Sequence, residues 1–128
     1  MPDRPTWDEV WMEMCDVIGH RSWCERAQVG AVIVTADNRV QAASYNGAAP
    51  DFPKDGPCSN WCPRAKPGAK LDIGYANCFA LHAEANGIAR SDHTQLHGAT
   101  IYVNGSVCFN CAKLITATKI SRVVMRVN

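Results

Sequence analysis

At 128 residues, 47% of them apolar and with a net charge of +1, the chain has the length of one folded domain and enough apolar mass for a real core. Balanced charge excludes a molecule-wide field for gripping nucleic acid or an anionic membrane, although a few local charges suffice for one small anionic ligand. No apolar run approaches the ~18 residues of a membrane span. Asp8, Glu9, Glu13 and Asp16 inside the first apolar stretch exclude a signal-peptide core, so a cytoplasmic protein is expected.

Thr6-Trp7-Asp8-Glu9 has the form of a capping box, with a hydroxyl at the cap and a carboxylate three residues on. Trp7, Val10, Trp11, Met14, Cys15 and Ile18 follow at spacings of three and four, which predicts an amphipathic helix ending near Gly19. Val29 to Thr35 is apolar almost without alternation and predicts a strand buried on both faces. Asp37-Asn38 marks a turn, and Val40 to Tyr45 returns antiparallel to close at Asn46-Gly47.

Residues 48–78 carry Pro50, Pro53, Pro57, Pro63 and Pro67 and no period, so they read as a long loop. Cys58, Cys62 and Cys78 inside it argue against disorder. Leu81 to Arg90 predicts a helix despite the cost of Gly87. Thr100 to Val103 predicts a strand, Cys108 to Thr118 a helix with Leu114 and Ile115 inward, and Arg122 to Val127 a last strand. The order is α-β-β-α-β-α-β within one α/β domain, residues 1–128, and its later alternations predict parallel pairing with right-handed crossovers.

Seven cysteines in a reducing compartment point to metal binding or catalysis rather than disulfides. Cys15 lies on the first helical stripe and belongs to the core. His82-Ala83-Glu84 and Cys108-Phe109-Asn110-Cys111 each stand at the start of a predicted helix. Helix starts in such a layout gather at one edge of the sheet, so His82, Cys108 and Cys111 can meet. One imidazole and two thiolates suit zinc and leave a fourth position for water, whose pKa zinc lowers to about 7. Glu84, two residues from His82, is placed beside the metal and not on it, as a carrier of protons. The competing readings are a structural zinc knuckle, or a core histidine with two buried cysteines.

His82-x-Glu84 followed by Cys108-x-x-Cys111 resembles the zinc deaminases of nucleobases. Val29-Gly30-Ala31-Val32-Ile33-Val34, Tyr45-Asn46-Gly47, His82-Ala83-Glu84-Ala85-Asn86-Gly87-Ile88, Ile101-Tyr102-Val103 and Ser106 to Ile115 look like the deoxycytidylate deaminases of the cytidine-deaminase-like superfamily. The resemblance implies a three-layer α/β/α sandwich on a mixed sheet. It also implies hydrolysis of dCMP to dUMP and ammonia by zinc-bound hydroxide, and a homo-oligomer with a nucleotide substrate, neither nucleic acid nor membrane being a partner. Asn46, Ala83 and Ser106 fall on the substrate side by the same resemblance; Tyr45-Asn46-Gly47 is otherwise a plain turn. Lys54, Arg64, Lys66, Arg21 and Arg26 are candidate partners for a 5′-phosphate, or solvated surface charges. The chain departs from the family pattern at Val107, where proline is usual, and at Asn104-Gly105 on the expected substrate side, and it stops soon after its fourth strand.

Cys24, Cys58, Cys62 and Cys78 remain. Four thiolates complete a tetrahedral set, and Cys24 stands five residues before Val29, where some relatives of this kind place a ligand of a second, structural zinc. Scattered free thiols are the alternative. Deamination of another aminated base or nucleoside, and a non-catalytic zinc-binding module, are the rival functions.

Overall fold

The computed structural model describes residues 3–24, 27–48, 56 and 80–126. Helix α1 spans Trp7–Gly19, strand β1 Gly30–Val34, strand β2 Val40–Tyr45, helix α2 Ala83–Ala89, strand β3 Thr100–Val103, helix α3 Phe109–Thr116 and strand β4 Arg122–Met125. A 3-10 turn at His93–Leu96 follows α2, with His93 and His97 both exposed. No helix among the described residues is long and apolar enough to cross a membrane.

The four strands lie in the order β2-β1-β3-β4. β1 pairs antiparallel with β2 and with β3, and β3 pairs parallel with β4. The parallel pairing expected of the later alternations is therefore found only between β3 and β4. β2 and β3 run the same way, but β1 lies between them, because the hairpin claims one edge of β1 and leaves the other to β3.

Alternation along the strands sorts the core into two halves. Ala31, Ile33, Ile101 and Val103 pack with Ala83, Ile88 and Ile115 on the face covered by α2 and α3. Val32, Val34 and Tyr102 pack with Trp11 and Cys15 on the face covered by α1. β1 is buried at every position, as a central strand covered on both faces must be.

α1 begins at the expected capping box, where the Glu9 N–H donates to Thr6 Oγ1 at 3.1 Å. Its stripe is narrower than the pattern suggests: Trp7 is 57% exposed and stacks on Trp11, ring centroids 5.2 Å apart. Cys15 is fully buried and donates to the Tyr102 carbonyl at 3.3 Å, and burial pushes its thiol up to about 12. The helix lies on Gly30 so closely that a methyl there would stand 1.9 Å from the Cys15 carbonyl oxygen.

Two paired-donor arginines clasp α1 to β4 and the residue just after it, Arg122 on Asp8 and Arg126 on Asp16. The Arg122 guanidinium, helped by the Tyr102 hydroxyl, holds the Asp8 carboxyl down at about 2. Asn104 extends this clasp: its Nδ2 donates to Asp16 at 3.0 Å and its Oδ1 accepts from the Gly30 N–H at 3.0 Å. The expected substrate-side position of Asn104 is thus corrected. It shares the parity of Tyr102 and turns to the α1 face, away from α2 and α3. Leu114 is likewise corrected to a 38% exposed position, because α3 meets the sheet along Cys111 and Ile115 and Leu114 stands beside that line.

Candidate metal centre

Both metal motifs fall at helix starts. His82 is the N-cap of α2 and Cys108 the N-cap of α3. The Cys108 sulfur accepts from the Cys111 N–H at 3.4 Å, so it serves as a capping acceptor, and the positive end of a helix favours a thiolate in that place. Twenty-six residues apart in the chain, His82 Nδ1 and Cys108 Sγ stand 3.3 Å from each other, and Cys111 Sγ stands 3.4 Å from the same nitrogen. The three ligand atoms all lie within 4.8 Å of one another, and among the described residues no further histidine, cysteine or carboxylate joins them.

These spacings suit a metal. Zinc–sulfur and zinc–nitrogen bonds of ~2.3 and ~2.0 Å at a tetrahedral angle put the donor atoms about 3.5 Å apart. Charge points the same way. Burial, and then the Glu84 carboxylate and Cys108 beside it, push the Cys111 thiol far above its usual range. Two sulfurs and a carboxylate gathered in a buried place repel when ionised, and a divalent cation relieves that repulsion.

Glu84 is 3% exposed, in the first turn of α2. Ala83 is fully buried, and its carbonyl accepts from the Ser44 hydroxyl at 2.7 Å. Asn86 Nδ2 donates to the Tyr45 carbonyl at 3.0 Å, and Gly47 and Leu81 exchange backbone hydrogen bonds of 3.0 and 2.8 Å. The end of β2 therefore holds the start of α2 at several points. Sequence reasoning missed Ser44 and Asn86, since a buried hydrogen bond leaves no period; the glycine inside α2 was the one available hint of close packing.

Asn46 is buried and ties β2 to the segment before β1, its Oδ1 accepting from the Val29 N–H at 3.0 Å and its Nδ2 donating to the Ala27 carbonyl at 2.9 Å. Ser106 is exposed in the turn before α3. Val107, at the position where proline was expected, packs against the core under α2 and α3. Cys24 is half-buried, and its N–H donates to Ser22 Oγ at 3.1 Å. Cys58, Cys62, Cys78, Lys54, Arg64, Lys66 and Arg26 lie outside the described residues, and Arg21 is exposed.

A three-donor cradle with a buried carboxylate beside it, at the helix starts of a mixed α/β sheet, defines the class: a zinc-dependent hydrolase. The chain belongs to the cytidine and deoxycytidylate deaminases, the model of whose zinc-binding region matches residues 5–127. It is 41% identical over 126 residues to the deoxycytidylate deaminase of Mycobacterium phage D29, covering 94% of both chains. It is 33% identical over 124 residues to that of Schizosaccharomyces pombe, covering 94% of this chain but only 37% of the yeast protein. The crystal structure of dCMP deaminase from the cyanophage S-TIM5, in complex with dCMP and dUMP, superposes with a TM-score of 0.74 at 25% identity, over 98% of this chain and 85% of that one.

Proposed function

We propose that this chain, as a single domain, hydrolyses dCMP to dUMP and ammonia at a zinc ion held by His82, Cys108 and Cys111. The observation that carries the reading is the convergence of one imidazole nitrogen and two sulfurs within 4.8 Å next to the buried Glu84. Zinc in that cradle would supply Lewis acidity and make hydroxide accessible near neutral pH. Glu84, buried beside the cradle, would take a proton from the attacking water. It would pass that proton to ring N3 of the cytosine, which makes C4 the point of attack, and then take the remaining proton of the new C4 hydroxyl and give it to the departing amine. The water oxygen stays on C4 and the nitrogen leaves as ammonia, so the atoms balance.

The Ala83 N–H stands at the first position of α2, where a helix offers its amide no internal acceptor, and is assigned to the oxygen of the base. Asn46 has one N–H and one lone pair beyond its bonds to Ala27 and Val29, and these are assigned to the sugar. Ser106, exposed ahead of α3, is assigned to the rim of the site. Cys24, Cys58, Cys62 and Cys78 are assigned to a second, structural zinc that shapes the long loop. The chain is read as a cytoplasmic homo-oligomer, a reducing setting that keeps Cys108 and Cys111 free for metal.

The test is ammonia release from dCMP, CMP, deoxycytidine, cytosine, guanine and adenosine by the zinc-loaded protein. We expect dCMP to lead by about 100-fold in kcat/KM, since a site built around the sugar and phosphate leaves polar groups unpaired with anything smaller. Preference for a free base, a nucleoside or a purine would overturn the substrate assignment.

A further inference from the structure

Ser44 pairs with Ala31 across the β1–β2 ladder, and so sits on the sheet face that carries α2. It is 5% exposed, and its hydroxyl donates to the Ala83 carbonyl at 2.7 Å. Ala83 lies between His82 and Glu84. A carbonyl at that point of a helix also receives the helix's own N–H from four residues on. Two donors on one oxygen fix the first turn both along its axis and around it.

Gly87 completes the arrangement. A methyl at Gly87 would stand 2.8 Å from Ser44 Oγ. α2 therefore lies on β2 closer than alanine permits, at a helix cost of about 1 kcal/mol for the glycine. That cost has no evident return in α2 itself; it has one in the seat it makes for the Ser44 hydroxyl.

We propose that Ser44, with Gly87 as its small counterpart, is a positioning residue that sets where His82 and Glu84 stand against the Cys108–Cys111 pair. The inference rests on the reading that His82 binds zinc and Glu84 moves protons. Ser44 acts through the Ala83 carbonyl and touches neither metal nor substrate.

Ser44→Ala removes the hydroxyl at little change in size, Ser44→Thr keeps it, and Gly87→Ala pushes a methyl against it. Three quantities are read on each protein: zinc affinity by competition with a chromophoric chelator, kcat and KM for dCMP at saturating zinc, and Tm. Ser44→Ala should weaken zinc binding by about 3- to 10-fold and lower kcat by about 10-fold with KM within about twofold, the scale of one buried hydrogen bond and a small misplacement of reacting groups. Ser44→Thr should stay within about twofold of wild type in all three. The Ser44→Ala/Gly87→Ala double variant should be no worse than Gly87→Ala alone, because both changes break one contact.

Zinc affinity and kcat both unchanged in Ser44→Ala, or a fall in Tm alone, would overturn the proposal. If Gly87→Ala does not fold, the Ser44→Ala and Ser44→Thr pair decides it. A wild type inert towards dCMP, with zinc binding still weakened in Ser44→Ala, would sink the substrate reading and leave this one standing. An active wild type with Ser44→Ala indistinguishable from it would do the reverse.

Discussion

Cys108 carries two loads that a single substitution can separate. Its sulfur caps α3 through the Cys111 N–H, and it is one of three atoms in the metal cradle. Serine is a good capping residue and a poor zinc ligand; alanine is neither. Cys108→Ser should therefore lose zinc as completely as Cys108→Ala, yet remain about 1 kcal/mol more stable than it as apoprotein. Zinc titration and urea unfolding of the two metal-free variants check this. Equal stability would mean that the sulfur cap contributes nothing. The meeting of His82, Cys108 and Cys111 was legible in the sequence because zinc chemistry demands particular side chains at particular spacings from helix starts. Asn104 and Ser44 were not. Their roles are set by which face of a strand they occupy and by what the next layer offers them there, and neither is written in local spacing.

Helices and strands were mostly legible because each buries a stripe of fixed period. β2 and β3 match their expected spans, and α1 starts at its expected cap. α2 and α3 are shorter than expected, since each starts one residue beyond an N-cap position held by a residue of the cradle and ends once its short buried stripe is spent. Strand order was less legible. Alternation says which residues face inward but not which strand lies next to which, and so the placement of β1 between β2 and β3 had to come from the structure. The contact of α1 with β1 is the most demanding of the element-level contacts. At 1.9 Å from a backbone oxygen, a methyl on Gly30 has no flexible neighbour to push aside. Gly30→Ala should destabilise the fold by more than about 3 kcal/mol, or prevent folding, as judged by urea unfolding. A change below about 1 kcal/mol would show that α1 can lift off the sheet at little cost.

At the scale of the whole molecule, the sheet brings two helix starts together from segments that are 26 residues apart. One layer, α1 with its arginine clasps to Asp8 and Asp16, stabilises the far face of the sheet. The other, α2 with α3, carries every donor of the metal cradle and the buried glutamate. Asn104, bonded to Asp16 and Gly30, belongs to the opposite layer from the cradle. The chain spans 94% of the phage D29 deoxycytidylate deaminase and 37% of the fission yeast one.

In the proposed reaction Glu84 moves protons beside the metal without holding it. Glu84→Gln keeps the shape and removes the base, so zinc content and ammonia release from dCMP should be measured on the same sample. We expect zinc at the wild-type level and turnover lower by at least about 100-fold. Wild-type turnover would show that Glu84 is not the proton carrier, and zinc lost along with the carboxylate would show that it is a ligand.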